Sequence, residues 1–321
     1  MAILGWPFFY YSVTFYIVLN YRRNSLQMKN NRSLPVLNTC LLVFCLSFFS
    51  FQSKKHETTE LLFSDACKFR KIKSLQKSNG SHSGKSVVVD IQNLTTSSLT
   101  LRIPAGTIFE PSNEGEQTLL TVKDQIVSVL PKVKTNITIE AYCCQAHDAS
   151  PRETSSFAVN KTTNPKLQKL VDFIKQKKID VNYFQNMVWT ASDNHSVAAI
   201  PNLTPVDKEI RKFLCELTNQ KETWYAASQT ESLDQNGYIV RNTTEVGGKY
   251  RFSCLKNTYI HEEIHKETGG VVMRSQKRRA LWDGPVESTF HIRVKGWIKG
   301  NYFLKVMDDK NQVLTSYEFE V

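Results

Sequence analysis

The fold class is decided by residues 86–142, which read SVVVDIQNLTTSSLTLRIPAGTIFEPSNEGEQTLLTVKDQIVSVLPKVKTNITIEAY. Short runs in this stretch alternate apolar with polar residues and favour β-strands at 86–91, 98–103, 117–122, 125–130 and 135–142. Turn residues separate the runs, at Pro104, Gly106, Pro111, Gly115 and Pro131. Short strands at this spacing predict a β-sandwich.

The pattern becomes helical after residue 164. Asn164 can cap a helix whose first residue is Pro165, and apolar residues then recur at helical spacing. A second helix is predicted over 183–190, and a third begins at Thr204, where an acid stands three residues after the cap. Residues 86–222 are therefore expected to form a β-sandwich with a small helical layer.

Strand signals return from about residue 223. Strands are predicted at 238–240, 250–255, 290–294, 302–307 and 313–321, and turn-rich segments at 296–300 and 308–311 join the last three. The pattern Trp297-x-x-Gly300-x-Tyr302 and the alternating strand that ends the sequence resemble the small immunoglobulin-like domains that close many secreted bacterial proteins. We therefore expect a mainly β fold with a small helical layer, in which an immunoglobulin-like β-sandwich occupies residues 223–321.

The first 53 residues favour export. They hold two apolar stretches, four basic residues and no acidic residue. In one interpretation Met28 begins a signal peptide, with 28–32 as its charged region, 36–51 as its apolar region and Ser50 or Ser53 as a small residue near the cleavage site, so that the body begins near Lys54. In the other, residues 3–19 and 34–51 form a hairpin of two membrane helices whose basic loop stays cytoplasmic. Both place the rest of the chain outside the cytoplasm, in a secreted, cell-surface or periplasmic location.

The remaining residues have a modest positive charge. Because residues 1–53 contain four of the 41 basic residues and none of the 30 acidic ones, the rest carries a net charge of +7. No zinc-finger spacing or aromatic RNA-binding motif occurs, so we do not expect nucleic acid as a partner. Residues 54–85 are polar and rich in Ser, Gly and Lys, and are predicted to be a tether.

A cysteine and a glutamine motif suggest covalent chemistry. Tyr142-Cys143 ends a predicted strand, and Gln185-Asn186-Met187-Val188-Trp189 lies in a predicted helix. This pairing resembles the thioester domains of bacterial surface adhesins, over about residues 86–200. The resemblance implies that Cys143 supplies the sulfur, Gln185 the acyl group and Trp189 the shielding. The sequence departs from that family at Phe184, Met187 and Cys144, and a Cys143–Cys144 disulfide or simple docking of the helix by Gln185 and Trp189 are alternatives.

A second motif suggests a zinc hydrolase. Residues 261–265 read HEEIH, in which His261 and His265 would bind zinc and Glu262 would act as general base. Glu287 is the downstream candidate for a third ligand. Because neighbouring segments favour strands, the alternative is a polar surface strand without metal.

Three functions are therefore compatible with the sequence. The leading one is an exported binding or adhesion protein without a cofactor, whose ligand is an extracellular protein or polysaccharide and whose membrane contact is limited to the N-terminal segment. The second is the zinc-dependent hydrolase. The third is a structural envelope protein without chemistry of its own.

Overall fold

The computed structural model describes residues 59–321, and the compact unit to which they belong spans His56–Val321. Three buried apolar clusters organise these residues. The fold is mainly β with a small helical part, as the sequence predicted. The predicted export segment at residues 1–53 lies outside the described residues.

The first part of the chain forms three small sheets. The first contains β1 parallel to β4, with β7 antiparallel to β4; the second has the order β2-β3-β8, and the third β10-β5-β6-β9. These strands and one short helix have the following bounds: β1 Thr59–Leu62, α1 Phe63–Lys68, β2 Ile72–Ser78, β3 Val87–Asn93, β4 Leu99–Ile103, β5 Thr107–Pro111, β6 Leu119–Leu120, β7 Gln125–Val129, β8 Lys134–Ile139, β9 Tyr142–Cys143 and β10 Phe157–Lys161.

The predicted tether is wrong for residues 59–78, which belong to the folded body. Phe63, Ala66 and Ile72 are buried in the first apolar cluster, and β2 pairs with β3 along seven residues. Its Ser- and Lys-rich sequence alternates exposed with covered positions, and such a strand becomes stable only when a neighbour supplies its hydrogen bonds. Only the connection after β2, residues 79–86, keeps the expected turn character, and it carries His82.

Three helices follow, and their starts confirm the predicted caps. They are α2 Pro165–Lys177, α3 Phe184–Asp193 and α4 Pro205–Thr218. The Asn164 side chain accepts hydrogen bonds from the backbone N–H groups of Lys166 and Leu167. Thr204 and Asp207 form a reciprocal capping box at the start of α4. The apolar faces of the helices share the second cluster with Leu120 and Tyr142, so the helical layer packs on the sheet that contains β9.

The last hundred residues form two further sheets around the third cluster. One has the order β11-β12-β16 and the other β14-β13-β17-β18, with β15 pairing with β13. The bounds are β11 Tyr225–Leu233, β12 Ile239–Cys254, β13 Tyr259–Lys266, β14 Val271–Arg274, β15 Arg278–Arg279, β16 Gly284–Arg293, β17 Asn301–Met307 and β18 Val313–Glu320. The immunoglobulin-like identity of this part stays a prediction.

A buried arginine joins the helical layer to the last sheets. The side chain of Arg211, on α4, is completely buried and donates to the carbonyl groups of Ile200 at 2.8 Å and Thr223 at 2.6 Å. It also donates to the carbonyl of Tyr225, the first residue of β11, at 3.2 Å. These bonds satisfy backbone carbonyl groups on both sides of α4, so the helical layer and the β11-β12-β16 sheet meet in a fixed arrangement.

Candidate functional site

The structure brings together the cysteine and the glutamine that the sequence singled out. Cys143 ends β9, and Gln185 lies in the first turn of α3. The Gln185 side chain accepts a hydrogen bond from the Cys143 backbone N–H, with a nitrogen–oxygen distance of 3.2 Å. It also donates through Nε2 to the Cys143 carbonyl oxygen at 2.9 Å. The two residues, 42 positions apart in the sequence, are therefore held side by side by two hydrogen bonds.

These bonds fix the orientation of the Gln185 amide. Only one assignment of its nitrogen and oxygen lets the backbone N–H donate and the backbone carbonyl accept. In this orientation the Cys143 N–H points at Oε1, the atom that becomes negatively charged when a nucleophile attacks the amide carbon. The same N–H also donates to the carbonyl of His82 at 3.0 Å. The amide is thus both positioned and polarised beside the cysteine.

The thiol of Cys143 is fully buried, whereas Gln185 is partly exposed. Burial raises the pKa of Cys143 well above its usual range, and the neighbouring Cys144 and Glu231 raise it further. The thiol is therefore neutral at physiological pH, and its reaction as a nucleophile requires a group that takes up its proton.

The competing disulfide between Cys143 and Cys144 is absent from the described part of the chain, where all five cysteines are free thiols. Cys143 belongs to the first apolar cluster and Cys144 to the second. Successive side chains of a strand point to opposite faces, and this separates the two sulfurs into different cores. Burial also raises the pKa of Cys144, to about 12.

Trp189 closes the inner side of the site. It lies one helical turn after Gln185, so both side chains share a face of α3. The indole is completely buried, and its Nε1 has no hydrogen-bond partner among residues 59–321. The imidazole of His82 stacks on it at 5.9 Å between ring centroids, and Arg241 Cζ lies 4.5 Å from its ring centroid. Trp189 therefore excludes water from this side of the site.

Charged residues that the sequence did not reveal surround this tryptophan. Glu231, on β11, lies 2.9 Å from His82 Nε2. Arg241, on β12, donates to the carbonyl of Ala146 at 3.0 Å. The backbone N–H of Ala146 in turn donates to the Asp193 carboxylate at 2.7 Å. His82 is far in the sequence from Glu231 and Arg241, which face each other across the β11–β12 hairpin, and no local motif joins the three, so only the folded structure could identify them.

His195 lies on another side of the tryptophan. Its ring is 6.1 Å from that of Trp189, edge to face. Burial and the nearby Arg241 lower the pKa of His195 to about 4. The ring is therefore uncharged at neutral pH.

The HEEIH segment is a strand, β13, and its residues are not arranged as the predicted zinc site requires. Glu263 lies between the two histidines, 3.1 Å from His261 Nε2 and 2.9 Å from His265 Nε2. Glu262 points to the opposite face, where it accepts a hydrogen bond from Tyr250 at 2.6 Å. Because side chains alternate along a strand, the proposed general base cannot meet a metal held by the two histidines.

The predicted third zinc ligand lies in a different sheet from the two histidines. Glu287 lies on β16, in the other sheet, and binds Arg251 at 2.8 Å and Lys249 at 3.1 Å. Residues 59–321 contain no group of three or more His, Cys, Asp or Glu side chains arranged to hold a metal ion. The alternative, a polar surface strand, is confirmed as a strand, but it does not lie at the surface, because His261 and Glu263 are buried.

A large groove adjoins the Cys143–Gln185 site. Its volume is about 1560 Å³, and its walls come from the helical layer and from the β11-β12-β16 sheet. Asn186, the neighbour of Gln185, and Glu231 both line it, as do Trp224 and Lys249. An extended ligand in this groove would therefore pass close to Gln185.

No protein-family model matches this sequence, and no curated protein matches it. Among solved structures, a β-glucosidase from Kluyveromyces marxianus aligns with 73% of this chain, at 7% sequence identity and a TM-score of 0.18. The chain spans 44% of the length of that enzyme's chain. A TM-score of this size carries no argument about fold or activity. In the part of the chain that the structure describes, no helix combines the length and apolar character of a membrane span.

Proposed function

We propose that this chain is an extracytoplasmic binding or adhesion protein in which Cys143 and Gln185 form an internal thioester. The observation that carries the proposal is the pair of hydrogen bonds between the Gln185 side chain and the Cys143 backbone. The alternative, that Gln185 only docks α3 onto the end of β9, uses the same two bonds, so the distinction rests on whether the covalent bond forms.

The chemistry is a substitution at an amide carbon. The Cys143 sulfur attacks Cδ of Gln185, the bond from Cδ to Nε2 breaks, and the nitrogen leaves as ammonia with the proton from the thiol. The Cys143 N–H donates to the oxygen on which negative charge develops, which favours this step. The product is an acyl group more reactive than the amide that it replaced.

The surroundings support a long-lived thioester. Cys143 is completely buried and Trp189 covers the inner side, so water has little access to the sulfur. Gln185 is partly exposed and its neighbour Asn186 lines the groove, so an incoming amine would approach the acyl carbon from the outer side. Because the sulfur is buried and the acyl group is partly exposed, reaction with a bound partner is favoured over hydrolysis.

The partner that fits this chemistry is an extracellular protein that presents a lysine amine. Attack by the amine releases the Cys143 thiol and leaves an amide bond between the lysine and Gln185. The export segment predicted from residues 1–53 would bring the site to such partners. A polysaccharide ligand could occupy the groove without the covalent step.

The mass of the intact protein tests the proposal. We expect the chain, denatured without reductant, to be lighter than its sequence by one ammonia, and to gain one methylamine on incubation with that amine. Cys143→Ala and Gln185→Ala should both restore the full mass, whereas Cys144→Ala, the matched change at the adjacent buried thiol, should keep the deficit. A wild-type chain of full mass that is inert to methylamine would contradict the thioester.

A further inference from the structure

We propose that His82, oriented by Glu231, carries the proton during the reaction between Cys143 and Gln185. This inference rests on the thioester function proposed above and adds the acid–base group that this function requires. It follows from the position of His82, whose backbone bonds Cys143 and whose ring contacts Trp189 of the glutamine helix and the Glu231 carboxylate.

Three contacts locate the His82 ring. Its own backbone carbonyl accepts the Cys143 N–H at 3.0 Å, so the two residues are neighbours across the end of β9. Its imidazole stacks on Trp189, one turn from Gln185, with an angle of 12° between the rings. Glu231, on β11, lies 2.9 Å from Nε2 of the ring. The backbone of His82 therefore lies against Cys143, and its ring lies against Trp189, which is one turn after Gln185.

Glu231 determines which tautomer of the His82 imidazole is present. An ionised carboxylate only accepts hydrogen bonds, so His82 Nε2 carries the hydrogen in the 2.9 Å contact. The lone pair is then on Nδ1, which is the nitrogen able to take up a proton. When it does so, the adjacent carboxylate stabilises the positive charge, as in other pairs of histidine and acid at nucleophilic sites.

Other histidines near the site are poorer candidates. His195 has a pKa of about 4 because of burial and Arg241, so it binds a proton weakly at neutral pH. His147 has a side chain that is 82% exposed, and it faces Asp193 at 3.7 Å. His82 combines partial exposure, at 20%, with a carboxylate partner and a position next to Cys143.

The proton balance is complete in both directions. During formation, His82 accepts the proton of the Cys143 thiol, the sulfur bonds to Cδ of Gln185, and the departing nitrogen takes the proton from His82 and leaves as ammonia. During opening, His82 accepts a proton from the attacking amine and returns it to the Cys143 sulfur as the carbon–sulfur bond breaks. No oxidant, reductant or further reactant is required.

The rate of opening by methylamine tests the role of His82. Acid–base groups of this kind typically contribute factors of about 10² to 10⁴, so we expect His82→Ala to slow opening at least a hundredfold. Imidazole added to the buffer should restore part of the rate, which a merely structural role of His82 would not allow. Glu231→Gln should slow opening less, and His147→Gln is the matched control that should leave the rate unchanged.

The outcomes separate this inference from the thioester itself. A wild-type chain without the mass deficit overturns both. A deficit in the wild type together with wild-type opening rates in His82→Ala, or a slow rate that imidazole does not raise, overturns only the role of His82. If newly made His82→Ala lacks the bond, incubation with imidazole should release ammonia and produce the deficit, and failure to do so also overturns the proposal.

Discussion

At the scale of single residues, the site depends on two side chains of α3, Gln185 and Trp189, which lie one helical turn apart. Gln185 turns its amide to the backbone of Cys143, and Trp189, one turn later, fills the core beneath it. The sequence motif indicates that both side chains share a face, because residues four apart on a helix do so, and the shielding role of Trp189 stays a prediction. It could not show that the glutamine bonds the cysteine backbone, since that contact depends on how the helix docks on β9.

We predict that Trp189→Ala strongly destabilises the protein. The indole is completely buried, and removing a buried aromatic side chain typically lowers the free energy of unfolding by about 3–5 kcal/mol. Urea denaturation monitored by circular dichroism measures this change. Trp282→Ala is the matched control, because Trp282 is 60% exposed and its loss should change stability little. Equal effects of the two substitutions would contradict the buried position of Trp189.

Glu263 provides a second prediction at this scale. Burial alone would raise the pKa of its carboxyl group, but hydrogen bonds with His265, His261 and Arg274 outweigh burial and hold the pKa below its usual value. The carboxylate therefore stabilises the fold above pH about 4.3, its approximate value in the unfolded chain. This contribution disappears as the pH falls through the lower pKa of the folded state.

Glu263→Gln should therefore lower the free energy of unfolding at pH 7 by about 1–3 kcal/mol, the typical contribution of hydrogen bonds to a charged group. The variant should also lose less stability than the wild type when the pH is lowered to about 3. Urea denaturation at the two pH values measures both effects, with the exposed Glu114→Gln as control. A variant that loses as much stability on acidification as the wild type would contradict the assigned role of Glu263.

At the scale of elements, local signals identified the helices better than the strands. The starts of α2 and α4 are encoded by Asn164 and by the Thr204–Asp207 box, which act within four residues. In contrast, the sequence predicts a tether where β2 forms, and the HEEIH motif of β13 suggests a zinc site. Both carry polar residues that are covered or hydrogen-bonded only after distant strands pair with them, so the deciding interactions are not local.

The long strand β12 supplies a prediction at this scale. A Cβ at Gly248 would lie 2.6 Å from the backbone oxygen of Trp224, whereas a Cβ at Gly247 would approach nothing closer than 3.3 Å. Gly248→Ala should force the strands apart at Trp224 and lower the free energy of unfolding by about 1–3 kcal/mol, as overpacking does in other proteins. Gly247→Ala is the matched control and should be tolerated better. Thermal denaturation of both variants tests this, and a reversed order of stability would contradict the close approach.

At the scale of the whole molecule, the site is assembled from segments that are far apart in sequence. Cys143 lies in the first sheets, Gln185 in the helical layer, and Glu231 and Arg241 in the last sheets. The Cys143–Gln185 pair could be proposed from two short motifs, but His82, Glu231 and Arg241 could not. Their positions follow from the packing of the β11–β12 hairpin beside the helical layer, which no local pattern encodes.

Export is the prediction that belongs to the entire chain. If residues 28–53 act as a cleaved signal, protein recovered from outside the cytoplasm of a bacterial host should begin near Lys54. N-terminal sequencing of the secreted or periplasmic fraction measures this. Replacing Leu41 and Val43 with aspartate, within the apolar region, should retain the protein in the cytoplasm. Full-length protein found soluble in the cytosol with its N-terminus intact would contradict export.

The covalent bond between Cys143 and Gln185 is the central claim, and peptide mapping after methylamine treatment tests it most directly. The native full-length protein is incubated with methylamine, denatured without reductant, treated with a thiol-alkylating reagent, digested, and sequenced by tandem mass spectrometry. We predict methylamine on Gln185 alone, and alkylation of Cys143 that depends on prior exposure to the amine. An unmodified Gln185, together with equal alkylation of Cys143 with and without methylamine, would contradict the account.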